Sequence, residues 1–98
     1  KLIIMTKAEV VAKIANKTGF EKNNVQTTIE MFMETVKDSL KEGENVYLRG
    51  FGSFIIKERK QKTGRNISKN KPIIIPAHNI PAFKPSNSFK ELVKENVK

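Results

Sequence analysis

The chain has 98 residues, a formal net charge of +9 and no cysteine. That length holds one domain, and the missing thiols exclude disulfides and cysteine-ligated metal. So basic a balance points to nucleic acid, an anionic membrane surface or an acidic polymer, and says nothing about fold.

No apolar run approaches the ~18 residues of a transmembrane helix. Leu2–Met5 is too short for a secretory core. Met5-Thr6-Lys7 reads like a translation start, so residues 1–4 are an extension or a cloning remnant, and one domain over 5–98 is expected. The absent cysteines fit a reducing cytoplasm. So small a body buries little surface, and oligomerisation is the usual remedy, so a dimer is expected.

Thr6-Lys7-Ala8-Glu9 fits a capping box. Val10, Val11, Ile14 and Ala15 follow at helical spacing, and Gly19 supplies the left-handed stop. A second helix starts near Lys22 behind a poor N-cap candidate, Glu21. Val25, Ile29, Phe32, Met33, Val36 and Leu40 form one stripe of period 3.6, and Gly43 ends it. The two helices make a helical hairpin over 6–43.

From Asn45 the period changes to two, with Val46 and Leu48 alternating with Tyr47 and Arg49. Gly50-Phe51-Gly52 is a tight reversal. The next strand continues from Ser53 into a basic segment, Lys57–Lys71. That segment holds Lys57, Arg59, Lys60, Lys62, Arg65, Lys69 and Lys71 against a single acid, Glu58. It cannot bury apolar surface or pair its own charges, so it projects as a hairpin arm toward something anionic. Its tip is predicted at Thr63–Asn70, rich in turn residues. A third strand is predicted from Lys71 through Phe83; its prolines, Pro72, Pro76 and Pro81, are tolerable only where one edge faces solvent. The sheet and arm thus occupy 45–83. Ser86 or Ser88 caps a last helix over 86–97, with Phe89, Leu92, Val93 and Val97 on its apolar side.

Charge decides which element meets the partner. The second helix carries Lys22, Lys37 and Lys41 against Glu30, Glu34, Asp38 and Glu42. A slightly acidic helix is a poor candidate for passing two phosphate walls into a major groove. The arm is the better candidate.

Gly50-Phe51-Gly52-Ser53-Phe54, then Gly64-Arg65-Asn66, then Ile80-Pro81-Ala82-Phe83-Lys84-Pro85 stand in order at family spacing. Together they resemble the signature blocks of the bacterial HU and integration-host-factor family, and the likeness covers roughly Met5 to the C-terminus. It implies an α+β fold: an intertwined dimer with a helical body and a three-stranded antiparallel sheet extended into a long β-ribbon DNA-binding arm. It also implies minor-groove binding with duplex bending, the logic already known for architectural proteins of this family. The family usually places proline after its Arg-Asn pair, as a wedge between base pairs; here the position is Ile67. Isoleucine keeps the apolar bulk but lacks proline's fixed dihedral. Ile67 packing against its own hairpin is the plainer alternative.

The expected interface follows. Arg59, Lys60, Lys62, Lys69 and Lys71 neutralise phosphates. The resemblance implies that Arg65 and Asn66 reach the minor-groove floor and that Ile67 inserts at a base step. Lys84 and the start of the last helix, Ser86 to Ser88, are candidate body contacts. The partner is double-stranded DNA, with bent, nicked or junction DNA preferred, and the assembly is a homodimer in the nucleoid. The rival is a general polyanion binder acting on RNA or acidic polymers. A membrane role is weak, because the last helix mixes Lys90 and Lys94 with Glu91 and Glu95. With no cysteine and one histidine, no catalytic constellation suggests itself, and neither a cofactor nor a metal site is expected. His78 reads as a surface or phosphate-facing residue.

Overall fold

The computed structural model describes residues 3–66 and 71–97, with Arg65, Asn66 and Lys71 described by their backbone alone. The chain divides into two compact units, 1–38 and 39–98.

In the first unit, helix α1 spans Lys7–Thr18. The capping box forms as expected: Thr6 Oγ1 accepts from the Glu9 amide, and Glu9 reaches back to the Thr6 amide. Gly19, at φ 78°, ends the helix and donates its amide to the Ala15 carbonyl at 2.9 Å. Only glycine adopts this left-handed conformation without a Cβ penalty. Helix α2 spans Lys22–Lys41, its last residues falling in the second unit. Val11, Val25 and Val36 are buried. The α2 stripe is only partly covered, since Phe32 and Met33 remain exposed.

The second unit holds the strands and the last helix. Strands β1 (Val46–Leu48), β2 (Gly52–Arg59) and β5 (His78–Pro85) form an antiparallel sheet in the order β1-β2-β5. Strands β3 (Lys62–Asn66) and β4 (Lys71–Ile75) form a two-stranded ladder. Helix α3 spans Asn87–Asn96. Between β1 and β2 the Phe51 amide donates to the Leu48 carbonyl at 2.9 Å. Gly50 has φ 81° at the third position of that turn, where a positive φ is required. Beyond the end of β1, Asn45 Oδ1 accepts from the Ile56 amide at 3.1 Å and satisfies the central strand's edge.

Two expectations about the arm need correction. Thr63–Asn66 is not turn but strand, with Thr63 opposite Ile74 and Asn66 opposite Lys71. Backbone pairing asks for donors and acceptors, not apolar side chains, so the Gly- and Asn-rich composition misleads. The returning strand is also not continuous. It stops between Ile75 and His78, facing a stop between Arg59 and Lys62 on the other side. Each side advances by the same two residues, Lys60-Gln61 and Pro76-Ala77, so no residue is inserted and the register is kept.

Proline explains the interruption. Pro81 and Pro85 share one parity on β5, and a missing N–H belongs on the outward side of an edge strand. Pro72 and Pro76 have the opposite parity. Pro76 sits in the interruption, where its missing N–H can give no ladder bond, while Pro72 keeps its place in the β3–β4 ladder opposite Arg65.

Helix α3 is held by aromatic packing. The Phe83 ring lies 5.1 Å from Phe51, 5.0 Å from Phe54 and 6.4 Å from Phe89, and Phe51 stacks on Phe89 at 5.4 Å. Of the two N-cap candidates, Ser86 is the cap: its hydroxyl accepts from the Phe89 amide at 3.2 Å. Its own amide donates to the Phe51 carbonyl at 2.9 Å, which ties α3 to the β1–β2 turn.

Candidate nucleic-acid interface

Two concave surfaces of the second unit join cations to other polar groups. The larger is a cradle of about 720 Å³ between the β1–β2 turn and the start of α3. Arg49, Ser53, Lys84, Ser86 and Asn87 are among the polar residues of its wall, with Asn45 and Tyr47, and no acidic residue lines it. Ser53 and Lys84 are register partners on β2 and β5, and cross-strand partners share a face of the sheet. The turn at Gly50 brings Arg49 to the same rim.

Ser86 plays a more local part than a free hydroxyl would. Its oxygen caps α3 and lies 3.2 Å from Ser88 Oγ. The Asn87 and Ser88 amides stand at the first helical positions, outside the helix's own bonding. A helix end of this kind favours negative charge.

The second surface is a cleft of about 450 Å³ at the interruption of the ribbon, lined by Arg59, Lys60, Gln61, Lys62, His78 and Ile80. It gathers three of the expected phosphate ligands, Arg59, Lys60 and Lys62. Beyond it, Arg65 stands opposite Pro72 and Asn66 opposite Lys71 in the β3–β4 ladder. Ile67 and Lys69 lie outside the described residues.

Among the described residues the ion pairs are Lys7–Glu30 at 2.9 Å and Glu34–Lys37 at 3.2 Å, both in the first unit. Glu30 also accepts from Gln26 at 3.3 Å. The hydrogen bond from Lys7, then that from Gln26, holds the Glu30 carboxyl below its ordinary range. The cations of the cradle and the cleft take part in neither pair. Among the described residues no cluster of three metal-ligating side chains occurs, and no helix is long and apolar enough to cross a membrane.

Sequence reasoning missed Arg49 and Ser53. Arg49 carried a usable signal, a lone cation beside a glycine turn on an otherwise neutral hairpin. Ser53 carried none, because it joins the cradle only through its register with Lys84.

A β-ribbon bearing unneutralised cations, joined to a sheet with a basic cradle, defines a class of proteins built to grip a polyanion. The comparisons narrow the class. The family model described as bacterial DNA-binding protein matches residues 5–94. The SPbeta prophage-derived DNA-binding protein HU 2 of Bacillus subtilis (strain 168) is 41% identical over 90 residues, spanning 92% of this chain and 98% of that one. Integration host factor subunit alpha of Anaeromyxobacter sp. (strain Fw109-5) is 37% identical over 86 residues, spanning 88% and 87%. An HU–DNA cocrystal structure from Anabaena aligns with a TM-score of 0.87 at 37% identity, covering 91% of this chain and 97% of its own. The chain belongs to the bacterial DNA-binding protein family, the HU and integration-host-factor group that its motifs resemble.

Proposed function

We propose that the protein is a non-enzymatic, dimeric DNA-binding and DNA-bending protein of the bacterial nucleoid, most simply a homodimer. One observation carries the reading: a two-stranded ribbon in continuous register whose described cations form no ion pair among the described residues. The HU–DNA neighbour supports duplex DNA as the anion. Exposed apolar residues support a second protomer, notably Met33 on α2 and Leu92, Val93 and Val97 at the end of the chain.

Arg59, Lys60, Lys62, Lys69 and Lys71 neutralise backbone phosphates and release counterions. The strands extend about 3.3 Å per residue, so the arm beyond Arg59 reaches some 20–30 Å along a groove. Arg65 and Asn66 meet the minor-groove floor, where the donor pattern separates A·T from G·C only weakly. Ile67 enters a base step. Unstacking costs a few kcal/mol, offset by contacts that a bent duplex makes with the protein body. The cradle is where those contacts are made: Arg49 and Lys84 supply charge, Ser86 a hydroxyl, and Asn87 and Ser88 their amides.

Recognition of this kind reads deformability more than sequence, so nicked and four-way-junction DNA bind more tightly than intact linear duplex. A mobility-shift series on the three substrates, with a measurement of mass in solution, tests the proposal. Equal affinity for all three, or a monomer bound to DNA, contradicts it.

A further inference from the structure

The histidine is where this ribbon does more than display fixed charge. His78 is the only histidine of the chain. It opens β5 directly opposite Arg59, at the interruption of the ribbon. Its Nδ1 lies 2.9 Å from the Pro76 carbonyl oxygen. A carbonyl only accepts, so Nδ1 carries the proton and Nε2 is the other nitrogen of the ring. The Pro76 carbonyl belongs to the stretch that the lapse in pairing leaves outside both ladders. The proline that breaks the ladder thus also supplies the atom that orients the ring.

The surroundings decide what Nε2 can do. The ring lines the cleft with Arg59 from β2, Lys60 and Gln61 from the interruption, Lys62 from β3 and Ile80 from its own strand. The other charges next to Arg59 along β2 are Lys57 and Glu58, opposite Ile80 and Asn79. With Nδ1 protonated and the imidazole neutral, Nε2 offers a lone pair and is a poor neighbour for a phosphate. Protonated, it offers an N–H and a positive charge beside three cations. A phosphate in the cleft accepts that N–H and offsets the positive charge. Bound phosphate and proton therefore favour each other.

We propose that the cleft at the ribbon's interruption binds one backbone phosphodiester, with Arg59, Lys60 and Lys62 as permanent cations and His78 as a protonation-dependent ligand through Nε2. The inference rests on the DNA-binding reading above. DNA affinity therefore rises as pH falls and the imidazole gains its proton. An exposed charge pair contributes modestly, and the expected gain is about two- to fivefold per ribbon. The plot of log affinity against log salt steepens by about one unit per ribbon in acid.

The test is binding of the full chain to a nicked duplex by fluorescence anisotropy, with a pH-insensitive dye, from pH 5.5 to 8.0 at fixed ionic strength. The parent should gain affinity in acid. His78→Gln should flatten the profile, and His78→Lys should bind tightly at both ends. In parallel, the single imidazole Cε1–H resonance should titrate at higher pH with DNA than without. Equal acid gains in parent and His78→Gln would overturn the proposal, as would an imidazole titration unmoved by DNA. Absence of DNA binding at every pH would overturn the functional reading and this inference with it, whereas pH-independent binding overturns this inference alone.

Discussion

Gly52→Ala tests how the sheet, the aromatic cluster and the start of α3 are locked together. A Cβ at this buried glycine would lie 2.6 Å from the Lys84 carbonyl oxygen, 2.6 Å from Phe83 Cζ and 2.8 Å from Phe83 Cε1. Ordinary contact begins near 3.4 Å, so both the β5 backbone at Lys84 and the Phe83 ring must give by most of an ångström. The backbone is held by β2–β5 pairing, and the ring by Phe51, Phe54 and Phe89. Overpacking of this kind costs about 1–3 kcal/mol, and each disturbed ring pair adds up to about 1 kcal/mol. The lost freedom of the unfolded chain returns about 0.4–1 kcal/mol. The net expectation is a loss of about 2 kcal/mol, or roughly 8–16 °C in Tm for a chain this size. Gly64→Ala is the internal control. Its Cβ would meet Ile75 Cδ1 at 3.8 Å and the Ile73 carbonyl at 4.0 Å, both ordinary contacts. That variant should stay within about 0.5 kcal/mol of the parent. Thermal and urea unfolding at one fixed protein concentration decides, since association couples to stability. Equal stability of the two variants would refute the close-approach argument.

Three further outcomes follow from the same geometry. Arg49→Ala and Lys84→Ala should each weaken binding to nicked and linear duplex alike and flatten the salt dependence by about one unit per protomer; an unchanged slope removes that residue from the cradle's phosphate contacts. Ile67→Ala should reduce the bend, read by energy transfer between duplex ends, more than it reduces affinity; an equal bend in parent and variant removes Ile67 from the wedge role. The depressed Glu30 carboxyl contributes stability above its unfolded-state titration, and that contribution is lost as pH falls through its folded-state value. Lys7→Met should therefore narrow the stability difference between neutral and acid pH, and parallel pH–stability curves for parent and variant would contradict this.

The helices were legible because their signals are local. Thr6 with Glu9, Gly19 and the α2 stripe are each decided within a few residues of chain. The turn at Gly50 and the cap at Ser86 are of the same kind. What escaped depends on register. Thr63–Asn66 looks like a turn by composition, and its pairing shows only once Lys71–Ile75 is laid beside it. The break at Lys60-Gln61 faces Pro76-Ala77, which shows only once partners are known. Gly52 was legible as a turn glycine, but its actual constraint is the neighbouring Phe83 ring and Lys84 carbonyl. Of the interface, the arm cations were readable as charge density. Of the cradle, Lys84 and the helix start at Ser86 to Ser88 stood out in the sequence, while Arg49 and Ser53 join them through the fold.

The account turns on the ribbon, and shortening it is the most direct test. Arg59 and His78 are register partners at the end of the β2–β5 ladder, so a two-residue Asn-Gly turn can replace residues 60–77 without disturbing the sheet. Circular dichroism and solution mass establish that the body is intact, and titration of a nicked duplex at fixed salt gives the affinity. Loss of Lys60, Lys62, Arg65, Lys69 and Lys71 from each protomer predicts at least ~100-fold weaker binding and a much flatter salt dependence. Affinity within twofold of the parent would contradict the claim that this protein holds DNA with its arm.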